Sequence, residues 1–244
     1  MNSNTRHNTD RTEPDENSPQ EYDVVIVGSG PAGAAAALFC ARAELETLLV
    51  ANGRSTLQKC AYVENYLGFP AGIEPQSLLD LARAHVEQTD CTVRTETVDG
   101  VTQQDDTLVV DCDGEAVTTE ELLAASWSKS EYLDGLGVEK EQEEDGPVDE
   151  IVTDEDGRTN VPGVWAAGRI TGTHHQALVN AGDGARVALN LIETFRPSYY
   201  NDWVVPDGYY ASFDREIPTG VEEIDHEERQ RRANAGQKWM REFF

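Results

Sequence analysis

The stretch YDVVIVGSGPAGAAAALFCAR, residues 22–42, decides the fold of this chain. Its beginning, Tyr22–Val27, is a short β-branched run that favours a buried parallel strand. A glycine-rich turn at Gly28–Gly33 follows, and the Ala-rich segment Ala34–Arg42 favours a helix. A second apolar strand is predicted at Thr47–Val50. These elements form a βαβ unit, which the right-handed crossover makes the start of a doubly wound α/β sheet.

The turn between the first strand and the helix has the pattern G-x-G-x-x-G. Its residues are Gly28, Ser29, Gly30, Pro31, Ala32 and Gly33. In such a turn the first glycine permits the tight bend, the second admits a pyrophosphate close to the backbone, and the third lets helix and strand pack. The helix N-terminus adds amide donors and partial positive charge. Glycines of any tight turn could mimic the pattern alone, but its place in a βαβ unit predicts a dinucleotide site.

The position that usually holds a ribose-binding carboxylate, just after the second strand, reads Ala51-Asn52-Gly53. No carboxylate is present there, so Asn52 would have to hydrogen-bond the ribose. The alternative is that Asn52 and Gly53 form only a turn.

The rest of the chain is predicted to form one domain with two extensions. Residues 1–20 are expected to be a disordered polar tail, residues 21–195 the α/β domain, and residues 196–244 an aromatic and charged extension. The elements predicted beyond the βαβ unit are a helix at Gln76–Gln88, a hairpin of Thr107–Val110 and Ala116–Thr118, a strand at Leu122–Ser126, an acidic surface loop at Glu139–Glu150, a strand at Gly163–Ala167 and a helix at Gln176–Phe195.

The charge balance is strongly acidic. Among 244 residues, 46 are Asp or Glu and 19 are Lys or Arg, which gives a formal net charge of −27. Such a surface argues against a nucleic acid or an anionic membrane as partner. It favours a salt-adapted protein, since molar salt screens the self-repulsion, although an ordinary acidic protein is the alternative. With no run of 18 apolar residues and a polar N-terminus, we expect a cytoplasmic protein.

The four cysteines are widely spaced and form no C-x-x-C pattern. They are Cys40, Cys60, Cys91 and Cys112. This spacing argues against a redox dithiol, a metal site or a disulfide framework.

Three further stretches resemble the low-molecular-weight thioredoxin reductases. ENYLGFPAGI at 64–73 is similar to the segment that follows the flavin loop of that family, and TNVPGVWAAG at 159–168 resembles its second FAD motif. HQA at 175–177 resembles the stretch whose backbone meets the flavin ring. The resemblance implies a Rossmann-like FAD-binding domain with a small β insertion, with FAD in the first motif. It places Asn52 and Gly53 beside the adenosine half.

The same resemblance implies further cofactor residues in the second half. Asn65 would lie near the flavin, as would the helix start at His175, Gln176 and Ala177, whose positive end would stabilise reduced flavin. His174 and His175 are otherwise two exposed turn residues. Gly168 and Arg169 would lie along the cofactor.

The sequence departs from the family pattern in three ways. Only about 40 residues, 117–157, separate the hairpin from the second motif, too few for the family's nicotinamide domain of roughly 100 residues or more. The family's reactive C-x-x-C is missing with it. The family's ribityl-binding Asp is Arg169 here, which cannot accept a hydrogen bond. Arg169 could donate to phosphate or ribityl oxygens, or it could mark altered or lost flavin binding.

The resulting functional hypothesis is an FAD-dependent oxidoreductase that resembles a thioredoxin reductase without its NADPH domain. Electrons would come from a separate donor protein or from free NAD(P)H, and a homodimer is one expected assembly. Cys60, beside Lys59 on the loop near the flavin, is a candidate catalytic thiol or a small buried apolar residue. The rival hypothesis is a non-catalytic FAD- or nucleotide-binding partner protein. The aromatic extension would cover the flavin, bind a partner or pack on the sheet.

Overall fold

A computed structural model describes residues 19–53, 55–142 and 149–244. The predicted tail therefore lies outside the described residues, apart from its last two positions. The strands are β1 (Gln20–Val27), β2 (Thr47–Val50), β3 (Thr92–Arg94), β4 (Val98–Gln104), β5 (Thr107–Cys112), β6 (Glu115–Ala124), β7 (Lys140–Gln142), β8 (Asp149–Ile151), β9 (Val164–Ala166), β10 (Tyr199–Pro206) and β11 (Thr219–Ile224). The helices are α1 (Pro31–Arg42), α2 (Pro75–Val86), α3 (Ala177–Phe195) and α4 (His226–Phe243). Short 3₁₀ turns occupy Thr56–Lys59, Glu131–Leu136, Gly168–Thr171 and Ala211–Phe213.

The central sheet has the order β3-β2-β1-β6-β5-β4, and β9 also pairs with β6. Five strands form the parallel part of the sheet, in the order β3-β2-β1-β6-β9. The remaining strands, β4 and β5, pair with β6 as an antiparallel meander. The first half of β6 pairs with β5 and its last three residues pair with β9. This architecture is a Rossmann-type α/β fold with a β insertion, as the sequence predicts.

Register aligns the carboxyl ends of the parallel strands. Val27 of β1 lies opposite Val50 of β2 and Ala124 of β6, and Ala124 lies opposite Ala166 of β9. The chain segments that leave these four strands therefore meet at one edge of the sheet, which is where doubly wound folds bind ligands.

The core has two layers because alternate strand residues point to opposite faces. Val24 and Ile26 of β1 pack with α1 and α3, whereas Val25 and Val27 pack with the meander and the turn at Glu131–Leu136. Helices α1 and α3 approach closely, since a Cβ on Gly184 would fall 2.0 Å from the carbonyl oxygen of Ala32. This contact brings the beginning of α1 next to α3.

The predicted βαβ unit is confirmed, and its helix begins at Pro31 rather than Ala34. Proline suits this first helical position because its missing N–H would have no partner in the first turn. The predicted hairpin also forms, with Asp113 and Gly114 at positive φ, the conformation that a tight two-residue hairpin turn requires.

Two sequence predictions about the elements are wrong in detail, and two strands of the central sheet were missed. The predicted strands at Ala116–Thr118 and Leu122–Ser126 are one strand, β6, because its pairing with β1 continues through the polar residues between them. Strands β3 and β4 were not predicted. The acidic segment Glu139–Glu150, predicted as a loop, carries paired strands β7 and β8 at its ends, anchored by the buried Ile151, while residues 143–148 lie outside the described residues.

The C-terminal extension contains a separate two-stranded sheet. Parallel strands β10 and β11 pair with each other and lead into α4. In the described part of the chain, no helix combines the length and apolarity needed to cross a membrane.

Candidate cofactor site

The glycine turn between β1 and α1 contains two glycines that the turn itself requires. Gly28 has φ +109°, and a Cβ there would lie 2.6 Å from the carbonyl oxygen of Ala125. A Cβ on Gly33 would fall 1.8 Å from the carbonyl oxygen of Gly28. Any side chain at either position would collide with backbone, so these two glycines serve the protein's own packing.

Gly30 is different, because a Cβ added there would collide with no protein atom. Its backbone is extended, with φ −69° and ψ −177°, and the nearest atom to an added Cβ is Ser55 Oγ at 3.6 Å. Gly30 is also the N-cap of α1, and no described side chain caps this helix end. The first-turn amides of a helix lack partners within the helix. The arrangement is an open backbone cradle beside a helix N-terminus, which fits an anionic phosphate group.

Asn52 and Gly53 leave β2 at the same edge of the sheet. Asn52 donates from Nδ2 to Thr97 Oγ1, so its side chain is held against the segment between β3 and β4. Both residues are exposed, and a Cβ on Gly53 would meet nothing within 4 Å.

The second motif packs directly on the first. The Ala167 amide donates to the carbonyl of Ala124 at 3.0 Å, which brings Gly168 out beside α1. Gly168 has φ +81°, and a Cβ there would lie 2.6 Å from Ala32 Cβ. The Gly168 amide donates to Asp183 Oδ2 at 2.7 Å, so α3 holds this turn in place.

Asn180 is a buried polar residue of α3 that the sequence reasoning missed. It is 7% exposed, and its Nδ2 donates to the carbonyls of His174 at 2.8 Å and Gln176 at 2.7 Å. Its Oδ1 is buried without a described partner, and a Cβ on Gly168 would lie 3.1 Å from it. Asn180 thus holds the turn before α3, and its Oδ1 faces the Gly168 turn. The available signal was its place on the apolar face, four residues before Gly184.

The predicted flavin-side residues gather at the start of α3. Gln176 is the N-cap, and Ala177 is the first helical residue. No described side chain caps this end, and both His175 and Gln176 are exposed. Asn65 donates from Nδ2 to Gln176 Oε1 at 2.7 Å, which brings the two predicted residues together.

Arg169 lies beside the site in an ion pair. Its Nη1 is 2.9 Å from Glu150 Oε1, and the two side chains are 19% and 23% exposed. The guanidinium also lies 4.5 Å from the centre of the Trp127 ring. These contacts are with the protein itself, and contact with a cofactor stays a prediction.

Cys60 is exposed, so the interpretation of this residue as a buried apolar side chain is wrong. It lines an open pocket of about 390 Å³ together with Gln58, Glu74, Pro75 and Gln76. The other three cysteines are buried. Burial raises the pKa of Cys91 and of Cys112 to about 11, so these two are neutral thiols at neutral pH.

The fold and its glycine turn define a Rossmann-type α/β protein. The sequence matches the pyridine nucleotide-disulphide oxidoreductase family over residues 22–145. The chain belongs to this family, and its architecture is like that of the FAD-binding, Rossmann-type domain of thioredoxin reductases.

The individual relatives reported next are thioredoxin reductases. The bifunctional thioredoxin reductase/thioredoxin of Mycobacterium leprae is 36% identical over 116 residues, covering 46% of this chain and 25% of that protein. The thioredoxin reductase of Mycolicibacterium smegmatis is 40% identical over 82 residues, covering 33% and 26%. The matched part thus spans about a quarter of each relative. The solved thioredoxin reductase from Gloeobacter violaceus superposes with a TM-score of 0.65 at 19% identity, over 74% of this chain and 97% of that one.

Proposed function

We propose that this chain binds FAD at the carboxyl edge of its sheet and acts as a flavoprotein oxidoreductase. The observation that carries the proposal is the convergence of two uncapped helix N-termini, α1 at Gly30 and α3 at Gln176, on that edge. The Gly168–Ala32 contact and the Asn65–Gln176 hydrogen bond join the two halves.

The described residues fit the cofactor in an extended arrangement. Gly30, flanked by Ser29 and Pro31, would receive the pyrophosphate, and Asn52 and Gly53 would lie at the adenosine end. Asn65 and the start of α3 would lie at the flavin end. The close backbone packing at Gly28 and Gly33 keeps the turn narrow, so that a pyrophosphate could approach the backbone at Gly30.

FAD supplies two-electron redox chemistry when bound. The chain's contribution is electrostatic, since the partial positive charge at the N-terminus of the 19-residue α3 favours the reduced, anionic form of a group beside it. Asn180 keeps the backbone before that helix in position through its two hydrogen bonds.

The electron donor is proposed to be a separate protein or free NAD(P)H. The segment between the β meander and the second motif is short, and the sequence has no C-x-x-C. A thioredoxin reductase mechanism that uses such a dithiol is therefore not available to these residues. Cys60 is exposed on the loop before Asn65 and is the candidate thiol for exchange with an acceptor. In this proposal residues 21–195 are the FAD-binding domain and residues 196–244 an extension.

A second candidate function is binding of FAD or a related nucleotide without catalysis. The ion pair of Arg169 with Glu150 favours it, because the position where the family has a hydrogen-bond acceptor is instead used for a contact within the protein.

The absorbance spectrum of the purified full chain, followed by anaerobic addition of NADH or NADPH, separates the two functions. Flavin absorbance that bleaches with NADH or NADPH and returns with an electron acceptor supports the oxidoreductase. Bound flavin that is reduced by a chemical reductant but not by NADH or NADPH supports the binding function. A folded chain that takes up no flavin contradicts the FAD proposal.

A further inference from the structure

The C-terminal extension is attached at the end of α1 that is remote from the candidate cofactor site. Arg42, in the last turn of α1, donates from Nη2 to Asp202 Oδ1 of β10 at 2.7 Å. Arg196, between α3 and β10, forms an ion pair of 3.2 Å with Glu44, which follows α1. A helix of 12 residues is about 18 Å long, and Gly30 lies at its other end. The middle of β10 is therefore far from the Gly30 cradle.

Three rings of the extension form a cluster that is open to solvent. The centre of the Tyr209 ring lies 5.4 Å from the ring centre of Trp203 and 5.4 Å from that of Phe213, with angles of 73° and 62° between the planes. The exposed fractions of Trp203 and Phe213 are 41% and 62%. We call Trp203, Tyr209 and Phe213 the aromatic patch. A cluster of rings left in water in this way is typical of a surface that binds another molecule.

The turn that carries Tyr209 is fixed by a carboxylate of the neighbouring strand. Glu223 of β11 accepts hydrogen bonds from the Gly208 amide at 2.7 Å and from the Tyr210 amide at 2.8 Å, one at each carboxylate oxygen. Tyr210 is buried, and its ring centre lies 5.3 Å from that of Tyr209. The aromatic patch is thus ordered before a partner binds, which lowers the entropy cost of binding.

The sheet that carries Trp203 is partly open on both of its faces. Adjacent strand residues point to opposite faces, and the neighbouring Val204 is 37% exposed as well. The sheet consists of two strands, β10 and β11, and a sheet of this size is marginally stable in water unless another element packs on it. A partner that covers these side chains would therefore stabilise the extension.

The surroundings of the aromatic patch are acidic. Residues 199–225 contain seven Asp or Glu and one Arg, which gives a net charge of −6. Asp207 and Asp214, which flank Tyr209 and Phe213 in the sequence, are exposed. The Arg of this segment, Arg215, holds its guanidinium 5.9 Å from the centre of the Tyr210 ring. Aromatic faces beside carboxylates attract guanidinium groups, and this contact within the chain is an example.

We propose that the aromatic patch binds an arginine-bearing segment of a partner protein. Guanidinium planes of that segment stack on Trp203 and Phe213, and Asp207 and Asp214 match their charge. The net charge of −27 attracts a basic partner from a distance, and stacking on the rings then selects Arg over Lys. Because this surface is separate from the cofactor edge, binding at it does not depend on FAD.

Fluorescence anisotropy of labelled peptides with the full chain tests the proposal. The probe is the peptide Arg-Gly-Arg-Gly-Arg-Gly-Arg, and the same peptide with Lys for each Arg has equal charge. In about 0.15 M KCl, which screens exposed charges beyond about 8 Å, the Arg peptide should bind about threefold tighter than the Lys peptide or better. Absence of binding by the Arg peptide overturns the proposal. Equal binding of both peptides also overturns it, because net charge alone would explain that result.

Leucine variants remove the ring faces and keep apolar side chains, so circular dichroism should show a wild-type fold. Trp203→Leu and Phe213→Leu are each expected to lower the affinity for the Arg peptide about threefold, and the double variant about tenfold. The double variant should also lose the preference for Arg over Lys. Phe244→Leu, at a ring that is 65% exposed, is the control and should bind like the wild type. Wild-type affinity in the double variant would overturn the assignment to the patch.

A matched pair of charge variants tests the carboxylates beside the patch. Asp214→Asn and Asp106→Asn change the net charge equally, and Asp106 is exposed in the turn between β4 and β5. Asn tolerates the φ of +53° at position 214, so the first variant should fold. Asp214→Asn is expected to weaken binding of the Arg peptide more than Asp106→Asn does. Equal effects overturn the proposal, as does release of the peptide by FAD, which would place the peptide at the cofactor edge.

Discussion

Asn65 donates a hydrogen bond from its Nδ2 to Oε1 of Gln176 at 2.7 Å, across 111 positions of sequence. Asn65 follows the 3₁₀ turn after β2, and Gln176 occupies the N-cap position just before α3. The bond therefore joins the segment that follows β2 to the start of α3, the two parts of the chain proposed to lie at the flavin end of the cofactor site.

The Asn65–Gln176 bond should be visible as a coupling energy. Both side chains are exposed, so we expect Asn65→Ala and Gln176→Ala to couple by about 0.5–1 kcal/mol in the free energy of unfolding. Urea denaturation of the two single variants and the double variant measures this. Asn65→Asp is the control, because a rotated Gln176 amide can donate to the new carboxylate. Strict additivity of the two Ala variants would contradict the bond.

The Arg169–Glu150 ion pair should contribute to stability, because both side chains are about four-fifths buried. We expect Arg169→Gln to lower the free energy of unfolding by about 1.5–3 kcal/mol, since the Glu150 carboxylate loses a charged partner. Arg169→Gln/Glu150→Gln should lose less than the sum of the two single variants. Arg158→Gln, whose ion pair with Asp156 is more exposed, serves as the control. A near-zero effect of Arg169→Gln in denaturation would show that the pair does not hold this turn.

Glu121 gives a pH dependence with a definite sign. Burial raises its pKa, as does nearby Glu120, whereas the hydrogen bond from Trp165 at 2.6 Å and the charge of Arg158 lower it. The folded pKa is above the unfolded value, so the folded state binds more protons between the two values and stability falls as pH rises through that window. Glu121→Gln keeps the acceptor for Trp165 and removes the charge.

We therefore expect Glu121→Gln to melt above the wild type at pH 7, and we expect the difference in melting temperature to shrink as the pH falls and the wild-type carboxylate takes up its proton. Glu120→Gln, at the adjacent position, should produce a smaller change. A melting difference for Glu121→Gln that grows toward acidic pH would have the wrong sign.

Salt should stabilise this chain, because a net charge of −27 makes the compact state repel itself. The Debye length is about 30 Å at 0.01 M salt and about 3 Å at 1 M, so molar KCl should remove most of this repulsion and raise the melting temperature. Sucrose at the same molarity is the control for effects other than screening. A melting temperature that is insensitive to KCl would count against salt adaptation.

The fold could be predicted where local pattern and tertiary role agree. Local sequence favours one structure for each part of the βαβ unit: a strand at 22–27, a tight glycine turn and an Ala-rich helix. Strand pairing then aligns the carboxyl ends of the parallel strands. The strand β6 could not be read as one element, because Thr119 and Glu120 interrupt its apolar pattern while pairing with β1 supplies the hydrogen bonds.

The site was predictable as motifs but not as contacts. The glycine pattern indicated Gly30, and the family resemblance implied Asn65 and Gln176. The role of Asn180 depends on the approach of α3 to Gly168, which no local pattern encodes. The partner of Arg169 was equally hidden, since Glu150 lies in an acidic segment where each carboxylate looks the same from sequence.

An FAD titration of the full chain, compared with Gly30→Ala and Gly100→Ala, tests cofactor binding at this edge of the sheet most directly. An added Cβ at Gly30 lies 3.6 Å from the nearest protein atom and at Gly100 meets nothing within 4 Å, so both variants should fold. We predict one FAD bound per wild-type chain, unchanged binding by Gly100→Ala, and affinity lowered about tenfold or more by Gly30→Ala, because the methyl group enters the pyrophosphate position. Equal FAD affinity for Gly30→Ala and wild type, or no FAD binding by the folded wild type, would contradict the assignment.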